Sequence, residues 1–452
     1  FRPRHQRRSP VSSAAAHAHH NHHAPDPAVT LRAENITLPA GTGKGLGMGL
    51  IGVGVVLAVV ALVIGGANAM GATFKQALAA YHLTTMAVLA MSLGALFFVM
   101  AFHLTNAGWT ATLRRQFENV ASFAPFAFLL VVPTLVIEIA NRGVLFAWLS
   151  DEAAHSHTLQ AKWGYFFTPG TAHEDMHAGA FPTFFVLRAL IYGAVWTGLS
   201  LKLRSLSLQQ DESGDKAPSA RARFISSWGM LLFALTTAFA AFDWLMSIDY
   251  GFFSTMWGVY YFAGAAYSGV AVATIVLAML RLRGKLEGAV TSEHFHDLGK
   301  LMFTFTVFWA YIGFSQYFLI WYSNIPEETA FYEFRNTQDW LWLNRLLIVG
   351  HFVIPFLILI FRPVKRNPKA LIFMGLWAVV LELADLFWIV RPAATIGADG
   401  QAVSGSFLVD ALAILGVAGL FAGYLIWKVP QHQLVAAKDP YMTEALSHKN
   451  YV

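Results

Sequence analysis

The chain contains no cysteine. That absence excludes disulfides, thiolate-ligated iron–sulfur clusters and Cys-Xaa-Xaa-Cys-His haem attachment on this polypeptide. Charge is scarce as well: 13% of the 452 residues are charged and 56% are apolar, with a mean hydropathy of +0.51. Such a composition excludes an ordinary soluble core and implies a membrane protein with many spans. Ten apolar runs are long enough to cross a bilayer as helices, at about 20 residues each. They cover 44–66, 83–104, 123–148, 180–203, 225–247, 255–281, 300–322, 341–361, 369–391 and 406–428. Paired histidines deep in these runs, which bis-histidine haem b requires, are also lacking. His351 lies near mid-span, whereas His82 and His103 fall at run ends, so no haem is expected.

The scarce charges are distributed unevenly. Loops on one side hold Arg114, Arg115, Lys202, Arg204, Arg281, Arg283, Lys285, Arg362, Lys365 and Arg366, among others. Loops on the other side hold only Lys75, Lys162, Arg335 and Arg391. The positive-inside rule then places both termini in the cytoplasm. The formal net charge of +5 reflects these loops, and no nucleic-acid partner is expected. Residues 1–43 form a polar, His- and Arg-rich tail, and 429–452 a second tail. Arg7-Arg8 is not followed by an apolar signal core, so a twin-arginine export signal is rejected. The histidines of 17–23 read as part of a solvated tail, with metal binding as the alternative.

Two sequence echoes suggest an internal repeat. Arg188-Ala-Leu-Ile-Tyr-Gly193 matches Arg345-Leu-Leu-Ile-Val-Gly350, and Trp148-Leu-Ser-Asp151 matches Trp321-Tyr-Ser-Asn324. The expected fold is all-α, with a first four-helix bundle over 83–247 and a second over 255–391. The spans at 44–66 and 406–428 flank them. Repeats in membrane proteins commonly flank a functional site near the membrane interior. The first span carries Gly41, Gly45 and Gly49, with Gly47 and Gly54. Small residues at helical spacing let another helix approach, so this span is expected to dock a partner subunit.

Ionisable residues inside apolar runs cost a few kcal/mol each on insertion scales, roughly, and default to function. Glu138 and Arg142 are four apart, a spacing that suits an ion pair on one helix face. Thr236, Ala240, Asp243 and Ser247 form a small polar face directed into a bundle. Glu382 and Asp385 share a face, and two carboxylates in one low-dielectric site cannot both ionise cheaply. Tyr260, Tyr267 and Thr274, like Thr304, Tyr311 and Ser315, form hydroxyl stripes that either carry protons or bond helices together. The expected proton path therefore comprises Glu138, Asp243, Glu382, Asp385, His351, Tyr311, Tyr260 and Tyr267. Arg142, Arg188, Arg345, Asp249 and His177 are the candidates for a quinone contact or an ion pair. His173-Glu-Asp-Met-His177 formally fits a zincin pattern, but it sits between Pro169-Gly170 and Pro182 without a third ligand. It reads as a polar loop facing a partner or a quinone headgroup, and no metal is expected. Glu327, Glu328, Glu333 and Asp339 help make the outer face acidic, which either steers a basic partner or is simply solvated.

Several stretches carry a family resemblance. They are Phe242-Asp-Trp-Leu-Met-Ser-Ile-Asp249, Trp257-Gly-Val-Tyr-Tyr261, His296-Asp-Leu-Gly-Lys300 and Phe318-Leu-Ile-Trp-Tyr-Ser-Asn-Ile-Pro-Glu-Glu328. In these the chain resembles the NrfD/polysulfide-reductase membrane-subunit family, and more closely the F-type membrane subunits of bacterial alternative complex III. The resemblance covers the second to tenth spans. It implies a subunit of a quinol:electron-acceptor oxidoreductase, with quinone or menaquinone as substrate. It also implies an NrfD-like paralogue, an iron–sulfur protein and cytochrome c subunits as partners, which carry the clusters and haems c. A scaffold subunit and an independent proton-coupled transporter are the alternatives.

Overall fold

The computed structural model describes residues 27–66, 72–150, 156–167, 180–395 and 406–450. The chain is all-helical, with 81% helix and no strands among the described residues. Ten helices are long and apolar enough to cross a membrane. Spans 1 to 5 are Lys44–Ile64, Thr73–Leu104, Arg114–Ala140, Thr183–Ser213 and Ala217–Ile248. Spans 6 to 10 are Trp257–Leu282, Ser292–Ser323, Asp339–Leu359, Pro368–Ala394 and Phe407–Gln431.

All ten apolar runs fall in helices long enough to span, several of which extend beyond the expected ends, and two boundaries change the reading of the site. Span 2 starts at Thr73 rather than at 83. Its polar first turn is helical because Gln76 is buried there, donating to Ser406 O at 2.9 Å and Asp410 Oδ2 at 2.9 Å. That start also places His82 inside span 2 and fully buried, not at a helix end. Span 3 stops at Ala140 although the apolar run continues. Arg142 and Gly143 follow at φ of 52° and 88° and turn the chain back.

Spans 2 and 6 form the core, and most of their residues are buried. They meet at glycine: a Cβ on Gly94 would lie 1.8 Å from Ala265 O, and one on Gly269 2.6 Å from Ala95 N. Without a hydrophobic force between helices in lipid, close backbone contact of this kind supplies much of the attraction. Spans 3, 4 and 5 pack on the span 2 side and spans 7 and 9 on the span 6 side, with span 8 against spans 7 and 9. Spans 5 and 9 also touch the central helix of the other group, so the ten helices form one continuous packing.

Span 1 packs within the chain against span 10, with a Gly54 Cβ position 2.6 Å from Gly416 O and a Gly47 position 2.8 Å from Gly423 O. Its other glycines, Gly45, Gly49 and Gly52, face open space. At the basic end the C-terminal tail is strapped across the helix ends. Leu434 N donates to Ile36 O at 2.7 Å, Arg114 pairs with Asp439, and His448 Nε2 meets Asp297 Oδ2 at 2.5 Å.

Candidate functional site

Span 5 is apolar except for one polar strip, and Asp243 on that strip is completely buried. Span 4 supplies its partner. Arg188 Nε donates to Asp243 Oδ2 at 2.9 Å and Nη2 to Oδ1 at 2.7 Å, a two-pronged pairing. Tyr192, one turn along span 4, donates to Oδ2 at 2.7 Å. The remaining arginine nitrogen, Nη1, donates to Tyr165 O at 2.5 Å, and the guanidinium lies 4.0 Å from the Tyr165 ring centre. The charge on Asp243 is therefore neutralised and every prong is engaged, the geometry that makes a buried pair tolerable. Ser247 and Trp148 continue the network, with Trp148 Nε1 donating to Ser247 Oγ at 3.3 Å.

The second buried carboxylate group is held differently. Glu382 and Asp385, on span 9, are 1% and 3% exposed. Asp385 Oδ1 accepts from Tyr260 of span 6 at 2.5 Å, and Oδ2 accepts from Trp309 Nε1 of span 7 at 3.2 Å. Glu382 makes no hydrogen bond among the described residues, and its Oε2 is buried without a partner. It occupies the space left by a glycine: a Cβ on Gly264 would lie 2.6 Å from Oε2. No ion pair among the described residues involves either carboxylate.

His351 of span 8 completes this group. It lies in a π-helical turn, Leu347–Val353, which precedes Pro355. Such turns are rare and often occur at functional sites. The turn is held by Trp377 Nε1, which donates to Gly350 O at 2.7 Å. The His351 ring is fully buried, 4.0 Å from the Trp309 ring centre and 5.4 Å from that of Tyr267. Neither ring nitrogen has a partner among the described residues. Spans 6 to 9 thus bring together Tyr260, Tyr267, Trp309, His351, Glu382 and Asp385, a polar cluster with no countercharge and several unsatisfied atoms among the described residues.

Other expected site residues lie elsewhere. Glu138 does not share a helix face with Arg142, because span 3 has ended before Arg142. Its carboxylate instead accepts the backbone N–H groups of Val144, Leu145 and Phe146 at 2.8–3.0 Å, and so anchors the returning chain. Tyr311 is 63% exposed on the outward face of span 7, away from the cluster. Thr274 and Thr304 hydroxyls bond back to carbonyls of their own helices. Asp249 is exposed in the turn after span 5. His177 lies outside the described residues, as do His173, Glu174, Asp175 and the histidines of 17–23.

The two sequence echoes separate in the same direction. Arg188 and Trp148 face inward, whereas Arg345 is exposed and Trp321 is 63% exposed. Among the described residues, Arg188, Arg345 and Asp249 make no hydrogen bond or ion pair with one another. Four participants were not singled out from sequence: Tyr165, Tyr192, Trp309 and the supporting Trp377. Only Tyr192 had a usable signal, its four-residue spacing from Arg188. No family model matches the chain, and no curated protein does.

Proposed function

We propose that this chain is an integral membrane subunit of a respiratory quinol:electron-acceptor oxidoreductase of the alternative complex III type. In this reading spans 6 to 9 carry a proton-exchanging site. The observation that supports it most directly is the contrast between the two buried carboxylate groups. Asp243 is matched by an arginine and needs nothing further. Glu382 and Asp385 have no cation partner among the described residues, yet an unpaired carboxylate charge at membrane depth is costly. A pair in that setting suits uptake and release of a proton.

The chemistry is carried by this chain's own groups. Tyr260 and Trp309 hold Asp385 in place by donating one hydrogen bond to each oxygen. Glu382 Oε2 is the open acceptor. His351, with both nitrogens unpartnered among the described residues and its ring against Trp309, is the group of the same cluster able to hold a proton on either side of its ring. The family resemblance adds the redox setting: the lack of cysteine agrees with clusters and haems c on partner chains. The outward-facing Trp321, Trp342 and Arg345 suit a surface covered by such a partner.

A scaffold role is favoured by the other charges. Glu138 and the Arg188–Asp243 pair are fully engaged in holding helices and turns. The two readings separate in one experiment. The chain is tagged and purified in mild detergent, and the co-purifying proteins and haem spectrum are recorded. Glu382→Gln and Asp385→Asn variants are then assayed for turnover and proton movement in liposomes. The proposal expects haem c and iron–sulfur proteins to accompany the chain, and each variant to assemble but slow proton-coupled turnover, about 10²-fold by the usual scale of acid–base groups. Unchanged proton movement in both variants would leave the scaffold reading; purification of the chain alone and colourless would favour an independent transporter.

A further inference from the structure

A cavity of about 520 Å³ opens at the basic ends of spans 6, 7 and 9. Arg281 and Leu282 line it from the end of span 6, Thr291, Ser292 and Phe295 from the start of span 7, and Arg366 from the turn before span 9. Arg366 is held at the wall: Nη2 donates to Ser292 Oγ at 3.0 Å and pairs with Glu293 at 2.7 Å. Arg281 is less committed. Its partner is Glu287 at 3.2 Å, whose side chain is 67% exposed, and solvated pairs of this kind are weak. Spans 7 and 9 both begin at this cavity, so their helix dipoles add to the positive potential of the two arginines.

The apolar surroundings decide what kind of anion this setting suits. Leu282, at the cavity itself, is exposed, and farther along the helices from their basic ends Met279 on span 6 and Phe373 and Leu376 on span 9 are exposed too. The two helices touch there, with a Gly375 Cβ position 2.7 Å from Ile275. A basic pocket at the cytoplasmic ends of membrane helices, continued by exposed apolar side chains, matches the two-part chemistry of a phospholipid.

We propose that this cavity binds the phosphate of an anionic phospholipid, with Arg281 and Arg366 as its cationic contacts and the exposed residues of spans 6 and 9 beside its acyl chains. Free phosphate offers the same headgroup chemistry without the chains. The proposal is independent of the proton-exchange reading and involves none of its residues.

The test uses the full chain with its co-purifying partners, delipidated in detergent. Phosphatidylglycerol, phosphatidylcholine or inorganic phosphate is added at matched concentration, and retained lipid is read by native mass spectrometry alongside Tm. Each arginine near the surface contributes about a fivefold preference for anionic lipid, so the pair predicts about thirtyfold over phosphatidylcholine. Arg281→Gln should fold normally, since it breaks only a solvated pair, and should lose about fivefold of that preference. Glu293→Gln removes a competing carboxylate and keeps both arginines, so it should retain or increase the preference. Equal retention of the two lipids, an unchanged preference in Arg281→Gln, or stabilisation by inorganic phosphate equal to that by phosphatidylglycerol would each overturn the proposal.

Discussion

Replacing Arg188 by methionine removes the one charge that neutralises Asp243 among the described residues. The substitution deletes hydrogen bonds of 2.9 and 2.7 Å to the carboxylate, another of 2.5 Å to Tyr165 O, and the contact with the Tyr165 ring. Asp243 stays fully buried with Tyr192 as its remaining side-chain donor. Breaking a buried pair from one side costs about 3–5 kcal/mol, because a charge is left uncompensated. Asp243→Leu should cost a similar amount by stranding the arginine. The double variant Arg188→Met/Asp243→Leu strands neither charge, and buried pairs replaced by apolar residues of similar volume are often neutral. The two further charge-assisted hydrogen bonds, from Arg188 to Tyr165 O and from Tyr192 to the carboxylate, are each lost in one single variant too and so cancel in the cycle. The cycle therefore predicts a coupling of at least about 3 kcal/mol, well above the ~0.6 kcal/mol average for hydrogen bonds between membrane helices. Unfolding by SDS titration in mixed micelles, followed by circular dichroism and tryptophan fluorescence, measures all four corners. A coupling under about 1 kcal/mol would refute the argument, since it would mean that water or lipid headgroups already screen the pair.

Glycine positions test the packing and the site separately. Gly264→Ala would place a methyl 2.6 Å from Glu382 Oε2; the carboxylate must shift, and proton-coupled turnover should fall by up to about 10²-fold with partner co-purification unchanged. Wild-type turnover in that variant would separate Glu382 from the chemistry. Gly94→Ala would meet the Ala265 backbone at 1.8 Å and should destabilise the protein by about 1–3 kcal/mol or more, as overpacking does. Gly198→Ala, with nothing within 4 Å, is the control and should be neutral in the same SDS titration.

The number of spans was legible in the sequence because a lipid-embedded backbone must satisfy its own hydrogen bonds, which turns apolar run length into helix count. The important ionisable residues were legible too, since Asp243, Glu382, Asp385 and His351 are costly wherever they point. What each one meets was not. Arg142 and Glu138 have helical spacing, but a turn with positive φ at Arg142 and Gly143 intervenes, and three amides take the carboxylate. Arg188 and Arg345 sit in near-identical sequence, yet one is paired and the other exposed. The physical reason lies in the solvent. A helix in lipid is apolar on its lipid face and on its protein face alike, so hydrophobic periodicity carries little information about rotation. By itself the sequence determined the ten helices and the depth of their charges. Only tertiary packing, through glycine contacts such as Gly94 on Ala265 and Gly264 on Glu382, decided which charges are neutralised and which carboxylates are left without a cation among the described residues.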